Sequence, residues 1–297
     1  MYAISQIQDY MNAMKLDKSP STVRSYDLAI RKFCDFLKIE TFENLVGVTP
    51  ANIREFQTKL IANKSGDELD KAKNTANAYF RPLKAMFNWF IVQEYLDKSP
   101  FNKVKLLKVD KKEPTYITDE EVSAMISSCK KVDDLIILSL LLTTGLRREE
   151  LTTLKLSSVL NNHILVDGKG SKEAWLQLQP RVVEELNKYL EYRNKKYGNK
   201  TEYLLVSKMG CKYSGNSIRA RIQTIGERAG IPEERLKMIH THSTRHTFCK
   251  NMFASGASTR VVQGAMRHAN IQTTMIYAHM GDDTLDNAIL NQKSIFN

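Results

Sequence analysis

The stretch from residue 242 to residue 277 reads HSTRHTFCKNMFASGASTRVVQGAMRHANIQTTMIY, and it contains His242, Arg245, His268 and Tyr277. An arginine can hold the non-bridging oxygens of a phosphate through bidentate hydrogen bonds, and imidazoles can supply further donors. A phenol nearby is a nucleophile that can hold a cut nucleic-acid strand as a covalent ester. The stretch therefore predicts an enzyme that acts on a phosphodiester and needs neither a metal nor a nucleotide cofactor.

A second arginine stands far upstream, in Gly145-Leu146-Arg147, directly after a buried helix predicted for residues 134–143. Two arginines can grip one phosphate together, which gives this distant residue a functional interpretation. Taken alone, however, Arg147 favours a structural interpretation, in which it caps a helix or pairs with Glu150. The sequence around Arg147 leaves both interpretations open.

The histidines at positions 240, 242 and 246 raise the alternative of a zinc site. Two helical histidines that bind zinc stand four residues apart, as His242 and His246 do, but a third ligand is needed. The HExxH pattern of helical zinc sites is absent from the chain. We therefore expect no metal and no other cofactor.

The composition of the chain favours a polyanionic partner. Its 297 residues include 44 Lys and Arg against 33 Asp and Glu, which gives a net charge of +11. Each phosphate that a basic residue neutralises releases condensed counterions, so this excess suits nucleic acid. On charge alone, a basic protein that binds no nucleic acid is an equally good interpretation.

The sequence shows features of an intracellular protein. Its N-terminus lacks the basic start and apolar run of a signal peptide, and the apolar run at 135–142 is too short to cross a bilayer. The four cysteines are scattered without a CxxC pair, which suits a reducing compartment. We expect a soluble, cytoplasmic protein with no membrane partner.

The N-terminal third is predicted to be helical. Ser19-Pro20 and Thr49-Pro50 are typical helix starts, and apolar residues recur every three or four positions behind each. A third helix is predicted for residues 74–95, with a kink or break at Pro82. The polar residues 64–73 are predicted to form a loop.

A lysine-rich segment follows this helical block, which ends at Ser99-Pro100. Residues 103–112 read KVKLLKVDKK, and they form either a solvated tether or a strap along a DNA backbone. Residues 1–112 carry 19 basic and 13 acidic residues, net +6, and the remainder carries 25 and 20, net +5. This balance indicates two domains that face the same polyanion, as two jaws would.

The second domain is predicted to be mainly helical with one small hairpin. It opens at a capping box, Thr118-Asp-Glu-Glu121. The apolar period shifts towards two between residues 164 and 178, where Gly168-Lys-Gly170 can form the turn. Further helices are predicted for residues 181–197 and 217–230.

The candidate residues lie in longer motifs: TGLRREEL at 144–151, GKGSK at 168–172, HSTRHTF at 242–248 and the run from 261 to 277. In order, spacing and flanking residues, these motifs resemble the tyrosine recombinase (phage integrase) family, particularly its compact Xer-type members. The resemblance covers nearly the whole chain. It implies a mainly α fold with a small β-hairpin or sheet, arranged as a two-domain C-shaped clamp.

The resemblance also implies the domain organisation. Residues 1–102 match a SAM-like helical core DNA-binding domain, and residues 103–115 form a basic linker. Residues 116–297 match the catalytic domain and its C-terminal interaction tail. The tail carries a small apolar face that either packs on its own domain or, as the resemblance favours, docks onto a neighbouring protomer.

The resemblance assigns a role to each candidate residue. Tyr277 matches the nucleophile. Lys169 matches the lysine that protonates the leaving 5′ oxygen, and Lys172 in the same turn is its rival. The positions that bind the phosphate are matched by Arg147, Arg245, His242 and His268. The acidic position that supports the first arginine is matched by Glu150.

Two residues depart from the family pattern. Arg267 stands before His268, where the family commonly has glycine, and its side chain either shifts the turn or adds a DNA contact. Thr244 replaces an apolar residue before Arg245, and a small β-branched residue is expected to fit there.

The implied activity is site-specific DNA recombination through a covalent 3′-phosphotyrosine, either for chromosome or plasmid dimer resolution or for integration and excision of a mobile element. The implied partner is double-stranded DNA with inverted half-sites, bound by a homotetramer or together with a partner recombinase. The alternatives are a type IB-like topoisomerase with the same nucleophile and a non-catalytic DNA-binding protein on the same fold.

Overall fold

The structure, a computed structural model, describes residues 2–110, 113–167, 173–198 and 200–267. The chain divides into two compact units, Met1–Lys112 and Glu113–Asn297.

The first unit is built of helices. The described helices are α1 (Ser5–Asp17), α2 (Pro20–Leu37), α3 (Phe42–Val46), α4 (Pro50–Ile61) and α5 (Gly66–Val92), followed by a 3₁₀ turn at Pro100–Lys103.

Local side-chain caps set the starts of α2 and α4. The Ser19 hydroxyl accepts a hydrogen bond from the Thr22 amide before α2, and Thr49 forms a reciprocal capping box with Asn52 before α4. Proline follows each cap at the first helical position, where its missing N–H costs no hydrogen bond. The predicted starts of α2 and α4 are therefore confirmed.

Helix α5 corrects two predictions. It begins at Gly66, so the predicted loop over residues 64–73 is wrong from that residue onward. Asp67 and Glu68 lie in its first turn, where negative charge interacts favourably with the helix dipole. Of the two alternatives predicted at Pro82, the break is wrong, because α5 continues to Val92 with Pro82 buried in it, and the kink stays a prediction. Burial of its apolar face stabilises the helix across the hydrogen bond that proline removes.

The core of the first unit is rich in aromatic residues. The Phe101 ring, supplied by the 3₁₀ turn, lies 5.0 Å from the Phe80 ring and 5.1 Å from the Phe87 ring, both on α5. Phe33 of α2 packs edge-on against Phe56 of α4, with 5.3 Å between centroids. The aromatic residues predicted as core on α2 and α5 therefore line the interior of this unit.

The lysine-rich segment after the 3₁₀ turn is attached to the same unit. Val104 is buried, and the Gln57 amide donates to the Lys105 carbonyl at 3.2 Å. Buried Asn77 accepts from the Leu107 amide at 2.8 Å and donates to the Leu107 carbonyl at 2.9 Å. The main chain of residues 104–107 is thus fixed by side chains of α4 and α5.

The second unit combines helices with a small sheet. Its described helices are α6 (Asp119–Ser127), α7 (Val132–Thr144), α8 (Arg148–Thr153), α9 (Pro180–Tyr197), α10 (Gly215–Arg228), α11 (Glu233–Leu236), α12 (Thr241–Ala254) and α13 (Thr259–Met266). The predicted helices at 134–143, 181–197 and 217–230 correspond to α7, α9 and α10. The capping box between Thr118 and Glu121 is confirmed at the start of α6.

The sheet has three antiparallel strands, β1 (Val159–Leu160), β2 (His163–Asp167) and β3 (Glu173–Gln177), in that order. Ile164 of β2 is paired with Leu176 of β3, and Asp167 with Glu173. These two strands are the predicted hairpin, whereas β1 was not predicted. Two residues are too few for an alternating pattern to be recognised in a sequence.

Helix α7 lies at the centre of the second unit. Nine of its 13 residues are buried and none is exposed, and it packs against α9 and α12. Its apolar residues form one core with those of α9 and α10 and with Ile164 and Val166 of the sheet. Helix α7 thereby sets the position of the residues that follow it, Gly145 to Arg147.

Within the described residues, none of the helices has the length and apolar character that crossing a membrane requires.

Candidate active site

Gly145 ends α7 and turns the chain towards Arg147. Its φ of 58° lies in the left-handed region, which glycine enters without steric cost. A Cβ atom at this position would lie only 2.3 Å from Cδ1 of Phe248 on α12. Position 145 therefore requires glycine both for its backbone conformation and for its contact with α12.

Arg147 is the N-cap residue of α8 and is hydrogen-bonded to the first turn of that helix. Its amide donates to Oε2 of Glu150 at 2.8 Å, and its Nη1 donates to Oε1 of the same carboxylate at 2.6 Å. Its Nη2 donates to the carbonyl of Arg267 at 3.1 Å. The predicted pairing with Glu150 is confirmed, and the side chain is still 34% exposed. The guanidinium is thus both oriented and accessible from solvent.

Arg245 lies on α12 and is buried. Its Nη1 donates to the Gly145 carbonyl and its Nη2 to the Met266 carbonyl. Arg147 and Arg245 therefore bind neighbouring carbonyls, those of Arg267 and Met266, at the end of α13. The structure brings together two arginines that lie far apart in the sequence.

His242 stands one turn before Arg245 on α12 and is exposed. Desolvation by its neighbours, and then the positive charges of Arg245, Arg148 and Arg147, lower the pKa of its imidazole. A lowered pKa keeps the ring neutral at neutral pH, so that it can donate one hydrogen bond and accept another. The His242 imidazole thus lies within electrostatic range of Arg147 and Arg245.

The other two histidines of the cluster also have lowered pKa values. Burial, and then the nearby imidazoles of His242 and His240, lower the pKa of His246 to about 4. The His240 ring caps α12, since its Nδ1 accepts from the Ser243 amide at 3.3 Å. Within the described part of the chain, no group of three or more His, Cys, Asp or Glu side chains is arranged to hold a metal ion.

The remaining predicted site residues, Lys169, His268 and Tyr277, lie outside the described residues, as do Lys172 and the C-terminal tail. Strands β2 and β3 flank the segment that contains the two lysines. The described chain ends at Arg267, next to His268. The roles assigned to these residues remain predictions.

The site contains Arg267, whose role is left open between two alternatives by the sequence. The Arg267 side chain donates to Oε2 of Glu150 at 2.6 Å, and only 8% of it is exposed. Burial alone would raise the pKa of Glu150, but the hydrogen bonds and charges of Arg267 and Arg147 outweigh it and lower this pKa. The unusual arginine was visible in the sequence, whereas its partner 117 positions away was not.

Comparison with protein-family models identifies both units. The model described as the phage integrase family matches residues 115–283. The model described as the phage integrase SAM-like domain matches residues 3–106.

Curated relatives match the chain over almost its full length. Tyrosine recombinase XerC of Oceanobacillus iheyensis is 27% identical over an alignment that covers 96% of this chain and 94% of the relative. Tyrosine recombinase XerC of Staphylococcus aureus strain USA300 is also 27% identical, with 97% and 96% covered.

Solved structures share the fold. XerH site-specific recombinase bound to the palindromic difH substrate, in a post-cleavage complex, matches with a TM-score of 0.71 at 21% identity, covering 92% of this chain and 80% of that one. A lambda integrase dimer bound to a COC′ core site matches with a TM-score of 0.73 at 14% identity, covering 92% and 94%. The family match over 115–283, which spans more than half of the chain, shows that the protein belongs to the phage integrase family of tyrosine recombinases.

Proposed function

We propose that this enzyme exchanges DNA strands at a specific site through a covalent 3′-phosphotyrosine intermediate. The observation that carries the proposal is the assembly of Arg147, Arg245 and His242 around the junction of α7, α12 and α13. Two guanidinium groups and a neutral imidazole form a preorganised set of donors for a phosphate whose negative charge grows in the transition state.

The proposed reaction begins with Tyr277. Its oxygen attacks the scissile phosphorus as the phenolate, which nearby positive charges favour, and forms a 3′-phosphotyrosyl bond while the bond from phosphorus to the 5′ oxygen breaks. Lys169 gives a proton to the leaving 5′ oxygen, with Lys172 as the alternative acid. A 5′ hydroxyl from the partner strand then attacks the phosphotyrosine, returns a proton to the lysine and releases the tyrosine as the phenolate. The number of phosphoester bonds is conserved, so no nucleotide is consumed.

The non-bridging oxygens of the same phosphate are assigned to Arg147, Arg245, His242 and His268. The fixed position of Arg147 supports this assignment, because its side chain is held by Glu150 and by the Arg267 carbonyl while remaining partly exposed. Preorganised donors need no rearrangement as charge develops, so loss of either arginine is expected to slow cleavage by two or more powers of ten.

We assign DNA core binding to residues 1–102 and catalysis to residues 116–297, joined by the linker at 103–115. The positive charge of both halves and the matches to DNA-bound recombinases support a duplex with inverted half-sites as the partner. A lambda integrase tetramer bound to a Holliday junction is among the similar structures, with a TM-score of 0.71 at 14% identity. This similarity supports a tetramer as the form of the enzyme that acts on DNA. We place the enzyme in the cytoplasm.

The nucleophile can be tested with a suicide substrate, a nicked half-site duplex that traps the covalent intermediate. The wild-type protein should form an SDS-stable adduct, and Tyr277→Phe should form none. Tyr192→Phe is the matched control, because Tyr192 lies on α9, where its hydroxyl accepts only from Lys196 among the bonds described. An adduct with Tyr277→Phe would show that another residue is the nucleophile.

The C-terminal tail is proposed to dock onto a neighbouring protomer and close the tetramer. Deletion of residues 285–297 should abolish synapsis of two duplexes, measured by gel shift, while single-site binding persists. A truncated protein that recombines normally would refute the docking. Relaxation of plasmids without the site at the same rate as plasmids with it would favour the topoisomerase alternative.

A further inference from the structure

Arg267 combines an unfavourable backbone conformation with a specific set of contacts. It ends α13 with a φ of 52°, in the left-handed region that favours glycine. A glycine at this position would avoid that cost. An arginine that accepts it is expected to make compensating interactions through its side chain.

The Arg267 side chain makes those interactions inside the catalytic domain. Its Nη2 donates to Oε2 of Glu150 at 2.6 Å, and its Nη1 donates to the Ala265 carbonyl at 2.8 Å. Nη2 also lies 3.4 Å from the Gly145 carbonyl. Both members of the ion pair are more than nine-tenths buried, with 8% and 7% of the side chains exposed. A buried, hydrogen-bonded pair of this kind has a well-defined geometry.

Arg147 is held by the partners of Arg267. The Glu150 carboxylate binds Arg147 through Oε1 and Arg267 through Oε2, and the Arg267 carbonyl accepts from Nη2 of Arg147. Both acceptors that orient the Arg147 guanidinium therefore depend on residue 267. The Arg267 side chain could contact DNA only by breaking its buried ion pair with Glu150.

We propose that Arg267 is a positioning residue, which fixes the Arg147 guanidinium against the end of α13 through their shared Glu150 carboxylate. Its second effect is electrostatic. A carboxylate paired only with Arg147 would offset the positive charge that Arg147 presents to the phosphate, and Arg267 compensates part of that negative charge. The assignment rests on the proposed function, since it concerns the same phosphate-binding site.

The test uses the full-length protein and the suicide substrate. The single-turnover cleavage rate at saturating protein is measured separately from the Kd of the uncleaved half-site. Arg267→Gly removes the side chain and relieves the backbone cost, and it should lower the rate at least 10-fold with a Kd within twofold of wild type. Arg267→Lys keeps the charge but loses the two-pronged guanidinium group. Its cleavage rate should therefore lie between the rates of wild type and Arg267→Gly.

A double-mutant cycle with Glu150→Gln distinguishes positioning from a general structural role. If Arg267 acts through Glu150, Arg267→Gly should slow cleavage less in the Glu150→Gln protein than in wild type. Arg260→Lys, an exposed arginine on the same helix, is the control for Arg267→Lys and should keep the wild-type saturated rate. If Arg267→Gly does not fold, Arg267→Lys carries the same cycle.

Three results would overturn the proposal. One is an unchanged cleavage rate at saturating protein in Arg267→Gly. If Arg267→Gly does not fold, the same result in Arg267→Lys counts in its place. Another is a 10-fold weaker Kd with an unchanged rate, which would make Arg267 a DNA contact. The third is independent effects of the two substitutions in the cycle. Failure of the wild-type protein to form any adduct would instead refute the proposed function.

Discussion

Asn77 and Leu107 form a reciprocal pair of hydrogen bonds, in which one side-chain amide satisfies both the N–H and the C=O of one main-chain residue. Asn77 is buried on α5, and Leu107 belongs to the lysine-rich segment that leaves the first unit. The main chain of this segment is therefore held in place at Leu107 by a side chain of α5.

Asn77→Ala should release residues 105–110 from the first unit. We expect a loss of about 1–3 kcal/mol of stability, because two main-chain groups lose their partner. Hydrogen exchange at the Leu107 amide should accelerate, and proteolysis should begin in this segment. Asn74→Ala is the control, since Asn74 is exposed on the same helix and donates only to the Asp70 carbonyl among the bonds described. Similar exchange at Leu107 in both variants would contradict the prediction.

Gly145→Ala should destabilise the second unit by about 2–4 kcal/mol, measured by chemical denaturation. The left-handed conformation contributes about 1–2 kcal/mol, and the overlap with the Phe248 ring adds the rest. Gly230→Ala is the matched control, because Gly230 has a φ of 76° and, among the described residues, no atom within 4 Å of the added Cβ. Equal losses in the two variants would mean that the Phe248 contact has no energetic cost.

Arg193→Lys should cost about 2–4 kcal/mol, although it conserves charge. The Arg193 side chain on α9 is 2% exposed, and its guanidinium donates to the carbonyls of Gly198, Thr201, Tyr203 and Leu204. A lysine ammonium has its donors at one point and cannot span these acceptors.

The control for this substitution is Arg181→Lys on the same helix, whose side chain is 77% exposed. The free energy of unfolding of both variants is measured by urea titration. Arg181→Lys should change it by less than about 0.5 kcal/mol. A small effect at both positions would show that the carbonyls around Arg193 are satisfied by water instead.

Stability should fall as the pH drops from about 6.5 to about 4, in part because of His246. Its folded-state pKa is lowered to about 4 by burial, whereas an unfolded histidine titrates near 6.5. Between these values the unfolded chain binds the extra proton, so the free energy of unfolding rises with pH by at most about 1.4 kcal/mol per unit for this group. His246→Gln should flatten the slope in this window, and an unchanged slope would contradict the assignment.

The sequence predicts helix starts well where the stabilising contact is local. Ser19 caps the Thr22 amide and Thr118 pairs with Glu121, so each contact joins residues three positions apart and can be read directly. The start of α5 cannot be recognised in the sequence because Ser65 makes no side-chain cap and the three residues that follow it, Gly66-Asp67-Glu68, include no large apolar side chain. The continuation past Pro82 depends on packing with other helices, which local sequence does not encode.

The candidate site was predictable in its members but not in their arrangement. The motifs named Arg147, Arg245 and His242, and the structure places these three together. They did not indicate that Arg245 is buried against the Gly145 carbonyl, or that Glu150 binds two arginines. Both relationships join residues about a hundred or more positions apart. Such pairs become visible only when the packing of α7, α12 and α13 is known.

The shared carboxylate has a consequence for the engineering of hybrid recombinases. Gly145 and Glu150 belong to one segment, residues 132–153, while two of the arginines they bind, Arg245 and Arg267, belong to another, residues 241–267. A chimera that takes the second segment from a relative with glycine at position 267 would leave Glu150 paired with Arg147 alone. Segments 132–153 and 241–267 should therefore be exchanged together, as a single inherited unit, whenever a new target specificity is grafted onto this scaffold.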